Sequence, residues 1–294
     1  MTDLGLAPDI ADPPAGRSRS AAPVTGIGTS RRVRYLLRTL ALAWVAALLV
    51  LPVGFTLYRT FSDGFGPVVD ALTDDWAISA LRITVIAVAI SVPLNTVFGI
   101  VCALLIVRGR LPGRSFLSAL LDLPFAVSPV VLGLALFVLY GRTGWLGPWL
   151  SEHGIQVIFS LPGIVLATVF VSLPYVVNEL VPVLDEVGTD QEEAASTLGA
   201  RAWQTFRRIT LPSIRWGLAY GVVLTTARAL GEFGAVSIVS GNIGGQTQTL
   251  PLYVQDRFEA FDTTGAYAAS TLLALIAIAV LLTMTRLTRH REDR

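Results

Sequence analysis

Long runs of apolar residues alternate along the chain with short polar segments. A membrane-spanning helix needs about 20 consecutive apolar residues, and six runs are long enough to qualify. They lie at 39–58, 78–107, 116–140, 158–180, 216–240 and 266–287. Since each run can cross a bilayer, the pattern predicts an all-α fold, a polytopic membrane helix bundle with about six transmembrane helices.

Prolines interrupt several of these runs. They are Pro93, Pro124, Pro129 and Pro174. Inside a membrane such interruptions are tolerated where neighbouring helices satisfy the freed backbone groups. The prolines therefore favour kinked helices packed against one another over isolated helices surrounded by lipid.

The first 30 residues have a different character. They are rich in Pro, Gly, Ser and Ala and show no apolar period, which is typical of a disordered tail. The first apolar run is longer than a signal-peptide core and has no credible cleavage site after it, so we expect an uncleaved span. The predicted organisation is a disordered cytoplasmic tail at 1–30 and one transmembrane domain at 31–294.

Arginines are distributed unequally between the two sides of the predicted bundle. With an even number of spans, 17 arginines fall in the tail, the 108–114 turn, the 185–215 loop and the C-terminus, and only three fall in the opposite loops. Positive charge favours the cytoplasmic side, so we expect both termini to be cytoplasmic. The outer loops are acidic instead, with Asp63, Asp70, Asp74, Asp75, Glu152, Asp256, Glu259 and Asp262.

Composition narrows the chemistry. The chain is 53% hydrophobic and 15% charged, and all 22 of its basic residues are arginine. Without lysine it cannot build a phosphate-binding P-loop or a pyridoxal Schiff base. One cysteine, Cys102, and two distant histidines, His153 and His290, predict no metal cluster. No Ser/Lys, paired-Asp or His arrangement falls on facing spans, so no catalytic residue is expected and an intramembrane enzyme is disfavoured.

The longest predicted cytoplasmic loop, residues 186–213, is patterned as two short helices. Thr189 to Glu192 reads as a capping box that starts the first helix. Gly199 can adopt the left-handed conformation that ends it. A second helix is expected from Arg201 to Ile209, with Pro212 stopping it.

This loop carries seven residues at a characteristic spacing: Glu193, Ala194, Ala195, Gly199, Ile209, Leu211 and Pro212. The spacing resembles the hallmark of permease subunits of bacterial ABC importers. The resemblance implies the type I importer permease fold and makes 186–213 the coupling loop, which sits in a groove of a separate ATP-binding subunit. It also implies that ATP and Mg²⁺ bind to that partner and that this chain holds no cofactor. The alternatives are an interfacial amphipathic loop without a partner, or a passive channel, which would not need the loop.

Two further stretches resemble the sulfate/molybdate group of these permeases. They are 122–131 in the third span, and 229–237 with Ser240–Asn242 and 249–252 at the fifth. Within that group the likeness is greatest to the CysW-type sulfate/thiosulfate permeases, and it runs from about residue 35 to 285. It implies a sister permease of the CysT type, a dimer of ATPase subunits and an extracytoplasmic sulfate-binding protein, with no nucleic acid. A molybdate/tungstate permease of the same architecture is the runner-up.

Candidates for the translocation path follow from charge and position. Arg228 falls near the bilayer midplane, with Glu232 one helical turn later on the same face. A central arginine must face protein or water, so the two form either a charge pair near the anion path or an ion pair that locks the bundle. Ser128 and Asn242 are the other path candidates, and the 241–249 loop offers uncharged donors.

Two structural expectations complete the prediction. Asp122 is expected to bond to a neighbouring helix or to a kinked backbone. The segment 250–262 is expected to form a short helix outside the last span, with Asp262 or Thr263 capping the helix that follows.

Overall fold

The computed structural model describes the backbone of residues 31–109 and 113–292, and the side chains of residues 32–109 and 113–283. The predicted tail at 1–30 lies outside the described residues.

All regular structure in the described part is helical, as predicted. In chain order the helices are α1 (Arg31–Val45), a π turn (Ala46–Val50), α2 (Leu51–Phe61), α3 (Phe65–Thr73), α4 (Asp75–Val107), α5 (Arg114–Ala126), α6 (Pro129–Tyr140), α7 (Gly147–Glu152), α8 (Leu161–Val187), α9 (Asp190–Thr197), α10 (Ala202–Thr205), a second π turn (Phe206–Thr210), α11 (Leu211–Leu230), α12 (Gly234–Val239), α13 (Leu250–Glu259) and α14 (Thr263–Glu292).

Four helical stretches in the described residues are long and apolar enough to cross a membrane. They are Arg32–Phe61, Asp75–Val107, Leu161–Val187 and Thr263–Thr283. A fifth span exists if the bent pair α5 and α6 counts as one. The predicted span 216–240 begins within α11, which carries Arg215 and Arg228 and is not among these stretches. By length and apolar composition alone, the described residues contain four such stretches, or five with the bent pair.

The predicted span 116–140 is broken in the middle. Its two halves, α5 and α6, meet at an angle of 110°. Proline disfavours helical backbone in the residue before it, and Ser128, before Pro129, is extended with φ −57° and ψ 134°. Pro129 therefore starts a new helix, and the prediction of one kinked helix was wrong here.

The predicted span 216–240 is also broken. Helix α11 ends at Leu230, and α12 begins at Gly234 after three residues of irregular backbone. By contrast, Pro93 lies inside the continuous helix α4, and Pro174 lies inside α8. Breaks occur where Pro129 forces an extended residue or where Gly231 ends a helix, and prolines enclosed by packed helices leave the helix continuous.

Helix α8 is the centre of the bundle and packs against α4, α5, α6, α11 and α12. Small residues permit close approach: a Cβ on Gly99 of α4 would lie 2.6 Å from Cβ of Val176. A buried polar pair joins the same helices, because Nδ2 of Asn95 donates to Oγ of Ser172 at 2.8 Å. The predicted bond of Asp122 is also confirmed, since its Oδ1 accepts from Nδ2 of Asn178 on α8 at 3.2 Å.

The helical segment up to Pro52 is a separate compact unit from Val53–Arg294. Within it, the side chains from Arg32 to Pro52 are all exposed. A helix with exposed apolar residues on every side suits contact with lipid.

Candidate functional site

The coupling loop is two helices joined by a left-handed turn. Helix α9 ends at Thr197, and Gly199 has φ +81°. The turn is closed by two backbone bonds, from Gly199 N to Ser196 O at 3.0 Å and from Ala200 N to Ala195 O at 3.0 Å. Positive φ is easy for glycine and costly for residues with a Cβ. The predicted role of Gly199 at this turn is confirmed.

The start of α9 differs from the predicted capping box. Oγ1 of Thr189 donates to Oε1 of Glu193 at 2.7 Å and does not cap a backbone amide. The carboxylate of Glu192 bonds instead to Arg108 and to Thr210. The capping box was wrong because a long-range arginine and a threonine compete successfully for the Glu192 carboxylate.

The second helix does not stop at Pro212. Helix α10 passes through the π turn Phe206–Thr210 straight into α11. Leu211 N bonds to Phe206 O, five residues back, and Pro212 then occupies the first turn of α11, where a missing N–H costs little. The prediction that Pro212 ends the helix was wrong, and the coupling loop is joined to the span without a break.

The tip of the coupling loop presents an apolar surface. Leu198 is 89% exposed and Trp203 is 67% exposed, and the rings of Trp203 and Phe206 stack with centroids 5.5 Å apart. Beside this tip, Glu193 and Ala194 are exposed whereas Ala195 is buried. Clustered exposed apolar groups are typical of interaction surfaces, so the tip is a candidate contact surface.

The rest of the seven-residue pattern lies at the root of the loop. Ile209 and Leu211 are half-buried and Pro212 is exposed. Sequence reasoning missed Arg108 and Thr210, which hold Glu192, because no local signal links residues 84 and 18 positions apart. It could have found Leu198, a large apolar residue directly before the turn glycine.

The two helix breaks described above meet inside the bundle. A Cβ on Gly234, the first residue of α12, would lie 2.9 Å from Cβ of Pro129. A Cβ on Gly133 would lie 2.6 Å from the carbonyl oxygen of Ala235. Two glycines thus let α6 and α12 approach with their backbones almost touching.

The pair predicted between Arg228 and Glu232 is present at this junction. Nη1 of Arg228 lies 2.6 Å from Oε2 of Glu232, and the arginine side chain is 28% exposed whereas the glutamate is 2% exposed. Oε1 of Glu232 accepts a hydrogen bond from Ala235 N at 2.9 Å. The carboxylate therefore satisfies an orphan amide at the start of α12 and neutralises the arginine at the end of α11.

The other two path candidates lie at different distances from this pair. Ser128 is exposed and precedes Pro129, so it borders the junction. Asn242 lies beyond the far end of α12, in the left-handed region with φ +49°. Ser128 therefore adjoins the contact between Pro129 and Gly234, whereas Asn242 lies past the opposite end of α12.

The loop between α12 and α13 is held by its own hydrogen bonds. Oγ1 of Thr247 donates to Ser240 O at 2.6 Å and accepts from Ile243 N at 3.1 Å. Gln246, Thr247 and Gln248 donate their backbone amides to Ile243 O. These three backbone amides are therefore satisfied within the loop.

The helix predicted within 250–262 is confirmed as α13. Asp262 Oδ1 accepts from Gly265 N at 3.0 Å, so Asp262 caps α14 as expected. Arg257 of α13 pairs with Asp74 at 3.2 Å and with Asp262 at 3.6 Å. Burial raises the pKa of Tyr253, and the positive charge of Arg257 opposes that rise.

Comparison with known proteins places these features in a family. The family model described as "Binding-protein-dependent transport system inner membrane component" matches residues 95–294. The sulfate transport system permease protein CysW of Synechocystis sp. is 51% identical over 250 residues, which are 85% of this chain and 91% of that protein. CysW of Escherichia coli (strain K12) is 50% identical over 248 residues, which are 84% of this chain and 85% of that protein.

More distant proteins agree with the same architecture. The sulfate transport system permease protein CysT of Escherichia coli (strain K12) is 35% identical over 247 residues, 84% of this chain and 89% of that protein. The crystal structure of a bacterial ABC transporter that imports the acidic polysaccharide alginate superimposes with a TM-score of 0.73 at 19% identity, over 88% of this chain and 96% of that chain. The fold is the type I ABC importer permease fold, and the chain belongs to the family of binding-protein-dependent transport system inner membrane components.

Proposed function

We propose that the chain is the membrane-spanning permease subunit of an ATP-driven ABC importer, and that it translocates sulfate or thiosulfate by alternating access. The substrate is supported by relatives about 50% identical over most of the chain, which are named sulfate transport permeases. The coupling to ATP is supported by the rigid loop with its apolar tip at Leu198 and Trp203. The exposed coupling loop is the single observation that most supports coupling to an ATPase.

The energy source is a partner subunit. The chain has no lysine with which to build a phosphate-binding loop, so ATP and Mg²⁺ bind to a dimer of ATPase subunits. Each ATPase groove receives one coupling loop, with Glu193, Ala194 and the Gly199 turn on the contact surface. Because α10 continues through Pro212 into α11, a displacement of the loop moves the span directly.

A second permease completes the passage. Sulfate permeases of both the CysW and the CysT kind are similar to this chain, and we propose that this chain pairs with a CysT-type sister subunit. The membrane-facing helices supply lipid contact, and the arginine distribution supports a topology with both termini on the cytoplasmic side of the inner membrane.

An extracytoplasmic binding protein delivers the anion. The loops opposite the coupling loop are acidic, which repels free sulfate at long range. A carrier that encloses the anion and docks on this face removes that repulsion. Saturable uptake in cells that lack every external binding protein would contradict this part of the proposal.

The junction of the two helix breaks is the proposed position of the path. Arg228 is neutralised by a buried carboxylate yet keeps 28% of its side chain exposed, so its field can reach an anion without holding it tightly. Ser128 borders this point and Asn242 lies further along the same route. The competing role of the Arg228–Glu232 pair is to lock the bundle.

The proposal is tested by reconstitution. The full complex of both permeases and the ATPase dimer is placed in proteoliposomes that enclose ATP, with the sulfate-loaded binding protein outside. We expect radiolabelled sulfate to accumulate only with ATP and binding protein together, and excess molybdate to compete weakly. Accumulation without ATP would indicate a passive channel. Preferential uptake of molybdate or tungstate would show that one of these anions, and not sulfate, is the substrate.

A further inference from the structure

Arg108, at the C-terminal end of α4, donates hydrogen bonds to the coupling loop at two points. Its Nε donates to Oε2 of Glu192 at 3.2 Å, and its Nη2 donates to the carbonyl oxygen of Gly188. Oγ1 of Thr210 donates to the other oxygen of the same carboxylate at 2.8 Å. One carboxylate and one guanidinium therefore join the ends of α4 and α8 to α9 and to the π turn that leads into α11. We call this group, Arg108, Gly188, Glu192 and Thr210, the loop latch.

The latch is shielded from solvent. The side chain of Arg108 is 17% exposed and that of Glu192 is 21% exposed, and Thr210 is buried. Hydrogen bonds between charged groups are about twice as strong as neutral ones, and partly buried pairs are screened less by salt than surface pairs. The contact can therefore keep its geometry when the ATPase pulls on the loop.

The two neighbouring glutamates of α9 face different ways. Glu192 turns inward to the latch, whereas Glu193 is exposed and its carboxylate accepts a hydrogen bond from the nearby Thr189. Glu193 belongs to the seven-residue pattern of the coupling loop, and Glu192 does not. The side of α9 held by the latch is thus distinct from the side offered to the ATPase.

Helix α9 needs such a tether because glycines flank it. Gly188 precedes it with φ +67° and Gly199 follows it with φ +81°. A Cβ at either position would meet nothing within 4 Å, so no neighbouring group crowds these joints. An eight-residue helix between two such joints can swivel when its outer face is pulled.

We propose that Arg108 is a positioning residue for energy coupling: it fixes α9 to α4 and α11, so that movement of the ATPase groove is passed to the spans and not absorbed by swivelling at Gly188 and Gly199. This inference rests on the proposed function as an ATP-driven permease. It predicts that loss of the latch separates ATP hydrolysis from transport while the complex stays assembled.

The experiment measures ATP hydrolysed per sulfate moved by the full complex in proteoliposomes. Without Arg108, the partly exposed carboxylate of Glu192 can still be hydrated, so we expect the Arg108→Met complex to assemble. We expect the number of ATP molecules hydrolysed per sulfate to rise at least about twofold. Arg38→Met is the matched control, because Arg38 is exposed on α1 and makes no ion pair within the described residues. The control should leave the ratio unchanged.

The exchange Arg108→Glu with Glu192→Arg tests the pair itself. A ratio that returns toward the unmodified value supports the latch. An unchanged ratio in an assembled Arg108→Met complex overturns it, and so does loss of assembly in both the single and the exchanged variant, which would make the contact structural. Unmodified complex in the same vesicles tests the proposed function separately, since failure there is failure to move sulfate at all.

Discussion

Gly234 packs directly on Pro129: a Cβ at position 234 would lie 2.9 Å from the proline Cβ. Each residue starts a helix after a break, Pro129 that of α6 and Gly234 that of α12. Because the two breaks share this contact, α6 and α12 form one close-packed joint. Packed joints have few alternative arrangements, so this joint suits switching between discrete states.

The joint should not tolerate added volume. In Gly133→Ala the new methyl group would lie 2.6 Å from the carbonyl oxygen of Ala235 and 2.9 Å from its Cα, so backbone must move. Overpacking of this kind costs about 1–3 kcal/mol, and we expect a lower thermal midpoint together with slower uptake. Gly66→Ala in α3 is the control, because a Cβ there meets nothing within 4 Å. Equal stability of the two variants would contradict the close contact.

The Arg228–Glu232 pair separates a structural role from a role in the path. Arg228→Met leaves a carboxylate that is 2% exposed without its partner, which should cost about 3–5 kcal/mol. Arg228→Met with Glu232→Gln leaves no charge alone, so the double variant should regain thermal stability. If Arg228 also attracts the anion, the double variant folds but takes up sulfate poorly. Near-normal uptake per folded complex would remove Arg228 from the path.

Apolar periodicity and the coupling-loop pattern were enough to predict the helical bundle, the turn at Gly199 and the Arg228–Glu232 pair. Those features depend on residues close together in the sequence. The pattern could not distinguish Pro174, enclosed in α8, from Pro129, which breaks a span, since the outcome depends on neighbours in space. It also could not find the bonds of Glu192, which replace a local cap with partners from the end of α4 and from the π turn before α11.

Asp262 should stabilise the last span through its cap. Its Oδ1 accepts from Gly265 N at 3.0 Å, and its Oδ2 lies 3.6 Å from Nη1 of Arg257. Asp262→Ala removes both contacts and should cost about 1 kcal/mol. Asp262→Asn keeps a capping oxygen and loses only the exposed ion pair, which contributes little. In detergent, the thermal midpoint of the Asp262→Asn variant should therefore lie close to that of the unmodified chain. An equal fall of the midpoint in both variants would mean that the ion pair dominates.

The apolar tip of the coupling loop should be needed for binding the ATPase but not for folding. Leu198 is 89% exposed, so Leu198→Asp buries no charge within this chain and should leave the thermal midpoint unchanged. In a groove of the ATPase the same carboxylate would be desolvated without a partner. We expect the ATPase subunit not to co-purify with the Leu198→Asp variant, whereas it should still co-purify with the Leu198→Met variant. Full recovery of ATPase with the Asp variant would exclude the tip from the contact.

The turn at Gly199 tests whether the shape of the coupling loop matters. Its φ is +81° and a Cβ there would meet nothing within 4 Å, so any effect of substitution comes from the backbone and not from a clash. Valine resists the left-handed region at a cost of about 1–2 kcal/mol, whereas asparagine enters it readily. We expect Gly199→Val to insert normally into the membrane but to lose sulfate uptake and ATPase stimulation, and Gly199→Asn to retain most of both. Full uptake by the Val variant at normal membrane abundance would show that the left-handed turn is not required for coupling.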